Sequence, residues 1–127
     1  MANEIKASMS LNINDGSNYR VSIQPNAVLA DMSSSVAAGG VQTVGTAAEL
    51  LAVGDVSTAG WTFFQNLSTT SGAYVDIGGG STSSFTPVIR LYPGEPGLCG
   101  MASTTIVVRA STSQTNSVAL HYHLQSR

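Results

Sequence analysis

Charge is what this sequence has least of. Among 127 residues there are five Lys or Arg and seven Asp or Glu, 9% of the chain, against roughly 25% in an ordinary soluble domain. A charge-laced coiled coil is excluded on that count, and a content of 43% hydrophobic residues is too apolar for a disordered chain. The five cations, Lys6, Arg20, Arg90, Arg109 and Arg127, are scattered, whereas neutralising phosphates needs several converging on one face. The expectation is no nucleic-acid partner.

Cysteine is nearly absent as well. Cys99 stands alone and cannot close an internal disulfide, so the framework of small secreted domains is missing and the sequon Asn66-Leu67-Ser68 reads as accidental. No apolar run approaches the roughly 18 residues of a membrane helix. Met1-Ala2-Asn3-Glu4 opens polar and acidic, without the cationic and apolar regions of a leader. These features read as a soluble protein made in the cytoplasm, with no membrane partner.

What the chain has instead is 18 Ser, 12 Thr and 13 Gly, a hydroxyl-rich composition that offers little charge for colloidal stability. That combination fits assembly, in which neighbouring subunits or a larger particle cover part of the surface, and equally a robust all-β domain coated in hydroxyls. The length suits one domain that buries roughly two-thirds of its unfolded surface.

Period-two patterning dominates. Ile5, Ala7, Met9, Leu11 and Ile13 alternate with polar residues, Asn14 to Asn18 supply turn-forming types, and alternation resumes at Tyr19, Val21 and Ile23 until Pro25, which predicts a β-hairpin. Val28 to Met32 reads as a short strand or extended arm. Ser33 to Gly40 reads as loop, for want of any side chain large enough to hold a core. Val41 to Thr46 is strand-like, and Thr46 with Glu49 offers a capping-box pair for one helical turn through Leu51. Strands then follow at Trp61–Gln65, Ala73–Ile77, Thr86–Leu91, Thr104–Ala110 and Ser117–Leu124, separated by Gly, Ser, Thr, Asn or Pro. The Gly78 to Ser84 stretch reads as a flexible loop tip, and Pro93-Gly94-Glu95-Pro96-Gly97 as a rigid turn. The predicted fold is all-β: an antiparallel, jelly-roll-like sandwich of about eight or nine strands, forming a single domain over residues 1–127. Its N-terminal hairpin, at about residues 4–24, is free to serve as an attachment arm.

Candidate chemistry is thin. His121 and His123 alternate on one strand and so share a face, where two imidazoles could hold one metal ion. Further ligands would have to come from Asp31, Glu49, Asp55, Asp76, Glu95 or Cys99, none at diagnostic spacing, or from symmetry-related subunits. The favoured reading is an exposed strand face with Val118, Leu120, Tyr122 and Leu124 pointing inward, so neither a metal nor any other cofactor is expected. Cys99 has no protease signature around it, no two carboxylates form an acid and base motif, and Gly78-Gly79-Gly80 lacks the Lys and helix of a phosphate loop. No catalytic residue is assigned and the chain is read as a non-enzyme. The residues singled out for contacts are Trp61, Tyr92, Pro93 and Glu95.

Gly54 to Leu67, with its Gly60-Trp61-Thr62-Phe63-Phe64-Gln65-Asn66-Leu67 core, is followed by Tyr74-Val75-Asp76-Ile77-Gly78 and by Ile89-Arg90-Leu91-Tyr92-Pro93-Gly94-Glu95. Over roughly residues 41–124 this pattern of strands and turns resembles the small all-β structural proteins of tailed bacteriophages. The resemblance implies a virion component of the capsid decoration, cement or head-fibre type, a homotrimer whose partner is the major capsid protein or another virion protein. A tail- or fibre-associated module that binds host glycans is the alternative. A cupin-like metalloenzyme using His121 and His123 ranks last, since a cupin continues its metal motif beyond paired histidines and only Leu124 to Arg127 follow here.

Overall fold

The computed structural model describes residues 5–14, 16, 20–24, 26–30, 35–103, 105–111 and 117–126. Every regular element among them is a β-strand. No helix among the described residues is long and apolar enough to cross a membrane. The chain divides into two compact units, Met1–Ser33 and Ser34–Arg127.

The first unit is a ribbon folded back on itself. Strands β1 (Ile5–Ala7) and β2 (Leu11–Asn14) return as β3 (Arg20–Ile23) and β4 (Val28–Ala30). β2 pairs with β3 and β1 with β4, both antiparallel. The single strand expected over residues 5–13 is therefore interrupted at residues 8–10, and Val28–Ala30 is its distal partner. At the tip the Asn14 side-chain oxygen accepts the Gly16 N–H at 3.1 Å, with Gly16 at φ 82°, the local bonding that makes Asn and Gly turn residues.

The second unit holds the core. Its strands are β5 (Ala37–Val44), β6 (Glu49–Leu50), β7 (Ala59–Asn66), β8 (Val75–Ser81), β9 (Ser84–Leu91), β10 (Pro96–Gly100), β11 (Val107–Ala110) and β12 (Val118–Ser126). They form two antiparallel four-stranded sheets, ordered β10-β7-β12-β5 and β6-β11-β8-β9. The pairing is nested: β5 with β12, β6 with β11, β7 with β10 and β8 with β9. The second unit is thus one long double-back around the Thr82-Ser83 turn, laid alternately into two sheets.

Alternation decides what lies between the sheets. β12 buries Val118, Leu120, Tyr122 and Leu124, and β7 buries Thr62, Phe64 and Asn66. From the other sheet Val75, Ile77, Leu91, Val108 and Ala110 join the same cluster. An all-β, sandwich-like fold follows, as the period-two patterning predicts.

Four local expectations change. Ala37–Gly40 is strand, not loop, because a strand at the sheet's edge needs no large side chain and Gly39 permits a close approach: a Cβ there would lie 2.9 Å from the Tyr122 carbonyl oxygen. The glycine run 78–80 is strand as well. A Cβ on Gly78 would fall onto the Thr86 carbonyl, so only glycine fits beside the bulge in which Ile77 faces Ile89 and Gly78 faces Pro87, leaving Val88 unpaired. The helical turn gives way to β6. Glu49 still reaches back as a capping residue would, but to the Gly45 N–H at 2.6 Å. Finally, the turn beginning at Pro93 runs into a strand, β10, through Pro96 and Gly97.

Candidate functional site

The four strands of the first sheet, β5, β7, β10 and β12, contain no Asp, Glu, Lys or Arg. Their outward positions follow by alternation. β5 presents Val41 and Thr43, β7 presents Trp61, Phe63 and Gln65, β10 presents Leu98, and β12 presents His121 and His123. Register sets them side by side: Leu98 faces Phe63, which faces His123, and Gln65 faces His121, which faces Val41. Phe63 and His121 meet edge to face with ring centroids 5.5 Å apart, a favoured aromatic geometry. Trp61, Phe63, Leu98 and His121 are half-buried and Val41 is 60% exposed. The result is a broad, uncharged, partly apolar face on a rigid sheet.

The second sheet is its electrostatic opposite. Asp76, 1% exposed, accepts two bonds from Arg90, Nε to Oδ1 at 2.7 Å and an Nη to Oδ2 at 3.0 Å, the bidentate fit of guanidinium to carboxylate. An Arg109 Nη lies 3.5 Å from the same Oδ2. The bond to Asp76 holds the Arg90 guanidinium above even its ordinary alkaline range, so Arg90 stays cationic wherever the fold persists. Each arginine also covers a ring: Arg90 lies 3.8 Å from the Tyr74 centroid and Arg109 5.0 Å from that of Phe85. An open cavity of about 280 Å³ beside Asp76 and Arg90 is completed by Pro87, Val88 and Ile89. Sequence reading missed this cluster. Asp76 and Arg109 are 33 positions apart in sequence and meet only because β8 pairs with β11, a long-range register with no local signal.

Of the four contact residues expected, three come together. Tyr92, Pro93 and Glu95 form the turn between β9 and β10, where the Glu95 carboxylate accepts the Tyr92 N–H at 2.8 Å and Tyr92, half-exposed, meets Tyr74 edge to face. Asn66 ties that turn down: Gly94 N–H donates to the Asn66 carbonyl and Asn66 N–H to the Glu95 carbonyl. Trp61 sits elsewhere, near the opposite end of β7, about 17 Å from Asn66 at the rise of a strand.

Asn66 is itself a hub. Fully buried, its amide nitrogen donates to the Ala73 and Leu91 carbonyls at 2.7 and 3.0 Å, and its side-chain oxygen accepts the Ser68 N–H. A side-chain nitrogen so engaged is closed to glycosylation in the folded state, which gives a physical reason to read the sequon as accidental.

His121 and His123 share the outward face of β12. Among the described residues no three His, Cys, Asp or Glu side chains gather where they could hold a metal ion. Glu49 and Glu95 are spent on backbone N–H groups and Asp76 on arginine, Asp55 lies in the turn after Gly54, and Asp31 lies outside the described residues. Cys99 packs at the core's margin, its Sγ 3.2 Å from the Thr62 hydroxyl. No family model, no curated protein and no solved structure matches the chain.

Proposed function

We propose that this protein is a structural component of a bacteriophage virion, made in the host cytoplasm, that decorates or cements the capsid through protein–protein contacts. One observation carries the reading: the four strands of the first sheet hold no charged residue, and their outer face displays Trp61, Phe63, Leu98 and Val41. Covering such a face with another protein removes apolar area from water at roughly 25 cal/mol per Å² and strands no charge. Two further points agree. The nested pairing, in sheets β5-β12-β7-β10 and β6-β11-β8-β9, supports the jelly-roll reading, an architecture that capsid proteins use. The segments carrying the phage resemblance fall on β7, β8, β9 and the turn after them. The partner under this reading is the major capsid protein or another virion protein.

The test is co-sedimentation of purified protein with capsids that lack it, beside the variants Trp61→Asp and Phe63→Asp. Stoichiometric binding that both substitutions abolish while the melting temperature holds is the expected outcome. Absence of the protein from purified virions removes the reading.

The second reading, a tail- or fibre-associated module for host glycans, draws on the other sheet. There half-exposed Tyr92 meets Tyr74, whose ring the Arg90 guanidinium covers, and Arg90 shares Asp76 with Arg109, groups suited to an acidic sugar. A glycan array with signal lost in Tyr92→Ala favours it, and an array without any ligand excludes it.

A further inference from the structure

Open sheets leave edge strands whose unpaired N–H and C=O groups invite another chain, and proteins blunt them with shortness, Pro, charge or bulges. The second unit has four such edges, and three are blunted. β6 is two residues long. β9 carries Pro87, Arg90 and the bulge at Val88. β10 has five residues and starts at Pro96. The fourth, β5, runs eight residues from Ala37 to Val44 in unbroken register with β12, without proline, charge or bulge.

Its outward backbone has no partner among the described residues. Ser126 N–H donates to the Val36 carbonyl at 2.9 Å, which turns the even-numbered positions of β5 toward β12. In an antiparallel ladder the alternate residues, Ala37, Gly39, Val41 and Thr43, then point their N–H and C=O groups away from it. The neighbouring Leu50–Ala52 segment bonds to the side chain of Gln42, at 3.0 and 2.9 Å, and not to this backbone.

We infer that β5 is a homotypic docking edge: two copies of the chain pair antiparallel through β5 about a two-fold axis near Val41, joining two four-stranded sheets into one of eight. Three features select a second copy as the occupant. A strand that meets itself reversed sets any charge close to its own duplicate, and β5 has none. About Val41 the opposed side chains are Val41 with Val41 and Gly39 with Thr43, small enough for full approach. The uncharged outer face of the sheet also extends to β5, so pairing makes that face continuous across both copies. The contact is isologous and closes at two, unlike the three-fold assembly implied by the phage resemblance. It stands independently of the capsid reading.

Sedimentation velocity and native mass spectrometry of the tag-free chain test it over a range of concentrations. The expected species has twice the 13.0 kDa chain mass, and the amides of Gly39, Val41 and Thr43 gain protection from hydrogen exchange as concentration rises. Val41→Lys opposes two ammonium groups across the axis and raises the dissociation constant about tenfold or more. The melting temperature of the dilute monomer stays unchanged, because this side chain is 60% exposed. Thr43→Lys serves as a second variant should the first misfold. A single-chain mass at every concentration overturns the inference, as does a trimer, or a dimer that neither lysine weakens. An unsubstituted protein that dimerises but does not bind capsids counts against the proposed function alone.

Discussion

The two units are built on one plan and differ in what their alternation achieves. Each is a nested antiparallel double-back, around Gly16 in the first and around Thr82-Ser83 in the second. In the first, Leu11 faces Ile23 and Ile13 faces Val21 on one side while Asn12 faces Ser22 on the other. That is a well-formed amphipathic ribbon, yet Leu11, Ile13 and Ile23 remain 51, 41 and 52% exposed. In the second, the same period-two pattern leaves Phe64, Leu120 and Leu124 with no exposure at all. Alternation makes a face; only a second layer makes a core, and a lone two-stranded ribbon has none to offer.

That contrast can be tested in order of effect. Phe64→Ala removes the largest fully buried side chain and lowers unfolding free energy by about 3 to 5 kcal/mol in chemical denaturation. A loss below about 1 kcal/mol would mean that the core is not where stability lies. Asn66→Ala deprives the Ala73 and Leu91 carbonyls and the Ser68 N–H of their partner, at a cost of about 2 to 4 kcal/mol, and frees the β9–β10 turn to exchange its amides. Asp76→Asn comes next. It leaves Arg90 and Arg109 facing each other without their shared anion, and the thermal midpoint falls by less than for Asn66→Ala, with part of the loss recovered in high salt. Leu11→Ser, on the ribbon, shifts the main unfolding transition by no more than about 0.5 kcal/mol, and a larger shift would show that its apolar side is covered.

Much of this was readable from the chain. Strong alternation announced the ribbon and the strands at Trp61, Thr86 and Ser117, and the inward set Val118, Leu120, Tyr122 and Leu124 follows from period two alone. The misreadings fall where small residues carry strand conformation. Ala37–Gly40 and Gly78–Gly80 have no apolar periodicity to detect, and their place is fixed by neighbours distant in sequence, Tyr122 for Gly39 and Thr86 for Gly78. Of the contact residues, the Tyr92 to Glu95 turn was legible from its proline and glycine. The grouping of uncharged strands into a single sheet was not, since nothing local says that β12 lies between β7 and β5.

That placement also constrains how the protein comes into being. β12 occupies an interior position of its sheet although it is the last strand of the unit to be synthesised. While residues 118–126 are still inside the ribosome, β5 lacks its partner and β7 lacks one of its two. The unit therefore completes its first sheet only after those residues emerge, and its folding is slow in the manner of chains dominated by distant pairings. A nascent chain halted before Val118 would lack the one strand that joins β5 to β7, a link that only residues 118–126 supply.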